Sequence, residues 1–274
     1  MQAGSFPFFE LRKEPAEKIA TLYLNRPEKR NAMHWPFWRD LPLVIRQIED
    51  DPDIRVCVIA GHGKSFTTGL DFEPFFAEFG ETISAETGDG RLKFYEFLKS
   101  MQSGLNAIAD ARTIFIAAVH RHCIGGGLDL IASCDLRLAS ADASFSLRET
   151  KVAIVADMGS LARLPALIGQ AATRYLALTG ADIDAAEALR LGLLNFVLPD
   201  QATLMTRARE LALEIAANSW PAVSGTKAML NYAQDHGVKE SLDQVLLYNA
   251  AFLDTLDLRE MLRAFQEKRR PRFV

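Results

Sequence analysis

The chain has 274 residues, 49% of them hydrophobic and 24% charged, with a formal net charge of -4. A body of that length buries roughly three quarters of its unfolded surface. Its balanced, slightly acidic composition gives no reason to expect nucleic acid or a membrane as partner.

Residues 18–25 read as a strand ended by Arg26-Pro27-Glu28, and a loop carrying Lys29, Arg30 and Asn31 follows. From Trp35 the apolar residues Leu41, Val44, Ile45 and Ile48 fall on one helical stripe, closed by Asp51-Pro52-Asp53. Residues 54–60 form a strongly apolar strand that ends in Gly61-His62-Gly63, before Phe66-Thr67-Thr68-Gly69-Leu70-Asp71. The Gly, Thr, Ser and Glu content of 80–91 predicts a mobile surface loop, and 91–109 an amphipathic helix. Phe72, Phe75, Phe76 and Phe79 read either as core or as the lining of an apolar tunnel.

The centre of the chain is the stretch 119–157. An apolar strand over 113–119 runs into Gly125-Gly126-Gly127, and Leu128, Leu130, Ile131 and Cys134 resume with helical spacing. Glycines at such a turn let the backbone approach a ligand, and the first N–H groups of the helix lack internal partners. The run lacks both dinucleotide-fingerprint and P-loop spacing, so it reads as an oxyanion or anion site or as a close helix–strand contact. Three acids follow it: Asp129, Glu149 and Asp157. Donors beside acids suggest enolate chemistry. Taken singly, Asp129 also reads as a first-turn carboxylate facing its helix dipole, Glu149 as a solvated loop acid and Asp157 as a helix N-cap.

Beyond 157, a helical region carries Leu161, Leu164 and Leu167. Asp182-Ile183-Asp184 can cap a helix over 185–191 that Gly192 ends, and 193–198 is a short strand. Residues 200–266 read as successive amphipathic helices. Cys57, Cys123 and Cys134 sit in apolar runs without metal-ligand spacing, as buried thiols in a reducing compartment do. His34, His62, His120 and His122 also lack metal-like spacing. The basic cluster 268–272 reads as a solvated tail or a phosphate contact. Acidic Glu10 and Glu14 do not fit a targeting segment, and the chain ends Arg-Phe-Val rather than Ser-Lys-Leu, so a cytoplasmic location is expected.

Three stretches together, Asn25-Arg26-Pro27-Glu28-Lys29-Arg30-Asn31-Ala32-Met33, Phe66 to Asp71, and Cys123-Ile124-Gly125-Gly126-Gly127-Leu128-Asp129-Leu130, resemble the crotonase, or enoyl-CoA hydratase/isomerase, superfamily. The likeness continues through Ala185 to Leu193 and into the helical tail. It implies an α/β fold, a spiral of β-β-α units over 1–199, with a helical region over 200–274 that assembles homotrimers, commonly stacked as hexamers. The implied ligand is an acyl-CoA thioester, with no cofactor beyond the CoA of the substrate and no metal.

Carried over by position, the N–H groups of Leu70 and Gly126 form an oxyanion hole. Gly69, Asp71 and Gly127 shape the substrate site, while Arg26 and Lys29 match the loop that meets the CoA nucleotide. Phe265 and Lys268 correspond to residues that reach a neighbouring subunit's CoA. Asp129 and Glu149 stand where hydratases place their acids, and the additional Asp157 resembles the pattern of dienoyl-CoA isomerases in fatty-acid β-oxidation. The competing expectations are an enoyl-CoA hydratase using Asp129 and Glu149, and a non-catalytic acyl-CoA-binding protein. Arg121 departs from the family, standing where relatives usually have a glycine.

Overall fold

The computed structural model describes residues 6–273. Its strands are Phe9–Glu14 (β1), Ile19–Leu24 (β2), Val56–Gly61 (β3), Ile114–Val119 (β4), His122–Ile124 (β5), Leu136–Ser140 (β6), Ser144–Ser146 (β7), Asp182–Asp184 (β8) and Phe196–Leu198 (β9). The helices are Trp35–Glu49 (α1), Phe72–Ile83 (α2), Gly88–Asp110 (α3), Gly126–Ala132 (α4), Ser160–Thr179 (α5), Ala185–Leu191 (α6), Gln201–Ala216 (α7), Trp220–Asp235 (α8), Val238–Phe252 (α9) and Leu256–Gln266 (α10).

The larger sheet has the order β1-β2-β3-β4-β6-β9, parallel except for the β1–β2 hairpin. A smaller sheet runs β5-β7-β8, and Thr67 bridges Cys123 at its margin. Two turns of the chain, β4-β5-α4 and β6-β7-α5, give one strand to each sheet and then a helix, the β-β-α unit of the expected spiral. Strands β3 and β4 are buried along their whole length because helices cover both faces of a parallel sheet. On one face, α7 presents Leu204, Ala208, Ala212 and Ala216 to Val56, Val58, Ile116 and Leu138. A four-residue stripe of mostly alanine brings the helix axis close. The other face carries the main core, with α1 and α3 over Leu22, Cys57, Ile59 and Phe115.

Residues 80–91 depart from expectation, for α2 and α3 leave only a short connection between them. The Thr87 hydroxyl caps α3 by accepting from Gly90 N at 3.1 Å, and the phenylalanines of α2 recur at helical spacing. Phe79 packs on Trp35 and Phe97 with ring centroids 5.0 and 4.6 Å apart. Arg121, in the usual glycine's place, adopts the left-handed conformation with φ 57°, a strain of about 1–2 kcal/mol for an L-residue. Its carbonyl accepts from Ser144 N at 2.5 Å, which joins the turn to β7.

Candidate active site

The first donor loop is built by Asn31, itself at φ 54° and fully buried. Its amide donates to the carbonyls of His62, Ser65 and Phe66 at 2.9, 2.9 and 3.0 Å, and its side-chain oxygen accepts from Arg26 N at 2.8 Å. The Thr67 hydroxyl donates to Asn31 O at 2.6 Å and accepts from Gly69 N at 3.2 Å. Met33 bridges Leu70, and Arg26 donates to Asp71 at 2.6 Å and to Ala32 O at 2.9 Å. Leu70 is thus fixed from both sides.

The second donor loop lies directly against the first. A Cβ on Gly69, whose φ is +83°, would stand 2.7 Å from Ile124 O, so only glycine permits this approach. Gly125 takes φ 54° and ψ -119°, and α4 starts at Gly126, its N–H outside the helical ladder. Among the described residues, neither Leu70 N nor Gly126 N engages a backbone partner in the turns around it. Both residues line one cavity of about 380 Å³.

All three acids line that cavity too. Asp129 is 1% exposed, and its Oδ1 accepts from Ser160 N at 2.6 Å and from the Ser160 hydroxyl. Burial pushes its carboxyl up to about 6 against the pull of those two donors. Glu149 opens a 3-10 turn, Glu149–Val152, and its Oε2 is buried without a hydrogen-bond partner. Burial, with the charges of Asp129 and Asp157 adding to it, raises Glu149 to about 7. Burial likewise raises Asp157, whose backbone carbonyl accepts from Gln102 at 2.5 Å. Asp157 is not the N-cap of α5, because Gly159 occupies that place. Three neighbouring carboxyls with raised proton affinity, beside two free N–H donors, can take a proton at one point and deliver one at another.

The remaining expected residues fall into two groups. Arg26 and Asp71 are spent on each other, and Gly127 lies against Thr67, where a Cβ would stand 2.5 Å from the threonine methyl. Lys29, Phe265 and Lys268 are exposed, and none of them lines the cavity of the acids. The three cysteines are buried and free. Among the described residues no group of three or more His, Cys, Asp or Glu could hold a metal ion, and no helix is long and apolar enough to cross a membrane. The roles of Asn31, Ser160 and Gln102 were not legible in the sequence, since each acts through long-range hydrogen bonds.

The chain belongs to the Enoyl-CoA hydratase/isomerase family, whose sequence profile matches residues 14–274. It is 40% identical over 273 residues to the mitochondrial Delta(3,5)-Delta(2,4)-dienoyl-CoA isomerase of Dictyostelium discoideum, covering 100% of this chain and 93% of that protein. With the peroxisomal Delta(3,5)-Delta(2,4)-dienoyl-CoA isomerase of Arabidopsis thaliana the identity is 37%, over 96% of this chain and 95% of the relative. A crystal structure of a putative enoyl-CoA hydratase from Streptomyces coelicolor A3(2) superposes with a TM-score of 0.90 at 26% identity, covering 100% of this chain and 96% of that one. The compartments in the relatives' names overturn the expected cytoplasmic location. Glu10, taken as an argument against a targeting segment, sits in β1 and meets Arg12 and His62. Its acidity serves contacts within the folded chain.

Proposed function

We propose that this protein is a delta(3,5)-delta(2,4)-dienoyl-CoA isomerase. Three acids in one cavity, beneath the donor pair of Leu70 and Gly126, carry the reading, and the identity to isomerases supports it. The thioester carbonyl sits between the two N–H groups, each such donor being worth on the order of 3 kcal/mol in the transition state. Asp157, as carboxylate, takes the proton from C2. The C2–H electron pair becomes a dienolate spread over C2, C4, C6 and the carbonyl oxygen. Glu149, as acid, delivers a proton to C6, which leaves double bonds at C2–C3 and C4–C5. C2 and C6 are too far apart for one short carboxylate, so two acids in opposite protonation states are needed.

Asp129 keeps a second negative charge beside Glu149 and so favours a proton there. Hydration would engage only Asp129 and Glu149, and the presence of Asp157 in the same cavity disfavours it. Gly69, Gly127, Arg26 and Asp71 shape the donor loops, and exposed Lys29 offers a cation to the CoA nucleotide. Residues 200–274 serve assembly into trimers or paired trimers, a role supported by Leu246, Leu247, Phe252, Leu253 and Phe265, each at least 58% exposed on α9, α10 and their junction. The test is to offer 3,5-dienoyl-CoA and 2-enoyl-CoA in turn. Growth of 2,4-diene absorbance with little hydration is expected; strong hydration without diene growth would reverse the assignment.

A further inference from the structure

Two carboxyls of this site are neighbours with opposite hydrogen-bond environments. Asp129 Oδ1 accepts twice from Ser160, once from its backbone N–H and once from its hydroxyl. Glu149 Oε2 is buried and accepts from nothing, its carboxyl keeping only a contact with its own backbone N–H. Donors stabilise the ionised form of a carboxyl, whereas a buried carboxyl without donors favours its neutral form. When two such groups share less than two protons, the one with fewer donors is the one favoured to hold the proton.

We infer that Ser160 is a positioning residue for proton placement: its hydroxyl keeps Asp129 ionised, and thereby leaves the transferable proton on Glu149. The inference rests on the isomerase reading, for only there does Glu149 begin the cycle as an acid. Ser160 is fully buried at the first position of α5, so it touches Asp129 and has no path to bulk water. Its backbone N–H would hold Asp129 in any residue type; the hydroxyl is the part that side-chain identity controls. The other groups facing the pair are accounted for. Arg163 of α5 draws Asp129 toward ionisation, while Asp157 before α5 opposes it. Cys123 of β5 stays a neutral thiol through burial. Arg148 lines the same cavity but is held by Asp182 at 2.6 Å.

The experiment is the pH–rate profile of Ser160→Ala beside wild type, with Ser160→Cys as a near-isosteric variant bearing a weaker donor. Loss of the hydroxyl raises the proton affinity of Asp129, which then competes for the proton. The plateau rate near neutral pH should fall about two- to tenfold as the shared proton passes to Asp129, while the alkaline limb moves up with the pair's combined proton affinity and the two profiles converge above it, with Ser160→Cys between the two. A second readout needs no turnover. The infrared band of the protonated carboxyl at pH 6.5 should vanish in Glu149→Gln for the wild-type background, but persist in Glu149→Gln for the Ser160→Ala background, where Asp129 carries the proton.

A rate lowered equally at every pH, or a band that stays with Glu149 in Ser160→Ala, overturns the role of Ser160 while an active wild type preserves the isomerase reading. Absence of diene turnover in wild type overturns that reading alone, because the band still reports where the proton sits.

Discussion

The carboxylate of Glu149 rests over the α-carbon of Gly125: a Cβ there would stand 3.1 Å from Glu149 Oε1. The same glycine, at φ 54° and ψ -119°, turns the N–H of Gly126 outward. One backbone position therefore sets both the oxyanion donor and the room for the acid. Gly125→Ala should cost about 1–3 kcal/mol in stability from strain at that conformation, and displace both groups. Activity should fall at least about a hundredfold, the loss expected for one misplaced oxyanion donor. Steady-state kinetics with a thermal melt check both.

Stability should respond to pH through Glu149. Its proton affinity is raised from 4.5 to about 7 in the folded state, so between those values the native protein binds more protons than the unfolded chain, and stability falls as pH rises. The cost is absent below pH 4.5 and complete above about 7. Glu149→Gln, which cannot ionise, should raise Tm at pH 8, by roughly 2–4 °C for each kcal/mol recovered, and should leave it unchanged near pH 4. Melts of both proteins across that range test the sign.

Arg26 is expected to act through Asp71. Arg26→Ala removes the 2.6 Å contact with Asp71 and the bond to Ala32 O, freeing the residue next to the Leu70 donor. A fall in kcat of about tenfold should follow, the scale of one partly buried ion pair. Arg26→Lys should recover only part of it, since an ammonium cannot reproduce the guanidinium's geometry. A change confined to KM would instead favour a direct contact with the nucleotide.

Asn31→Ala should be more damaging than its loop position suggests. It strands three carbonyls and an N–H in the buried turn, at about 1–3 kcal/mol for each group left without a partner. A drop in Tm of more than about 5 °C is expected. Water entering the gap and preserving Tm would contradict it.

Periodicity and punctuation in the sequence were enough for the long elements. The α1 stripe, the apolar runs of β3 and β4, Asp184 as the cap accepting from Glu187 N, and Gly192 as the left-handed stop all stand where the residues put them. Strands β5, β7 and β8 have three residues each, too few for a period of two to register. The reading of 80–91 as a loop failed because helix ends are decided by caps such as Thr87 and by aromatic packing that composition does not show. Within the site, the acids and glycines were visible as residue types. Their gathering around one cavity required the spiral, which brings Gly69 against Ile124 from 55 residues away in the chain.

The division of labour between Asp157 and Glu149 is tested most directly by proton exchange at C2. Glu149→Gln, incubated with 3,5-dienoyl-CoA in D2O, should still wash deuterium into C2 while 2,4-diene formation falls by about a hundredfold to ten-thousandfold. Asp157→Asn should lose the C2 exchange itself. Exchange abolished in Glu149→Gln and retained in Asp157→Asn would contradict the account.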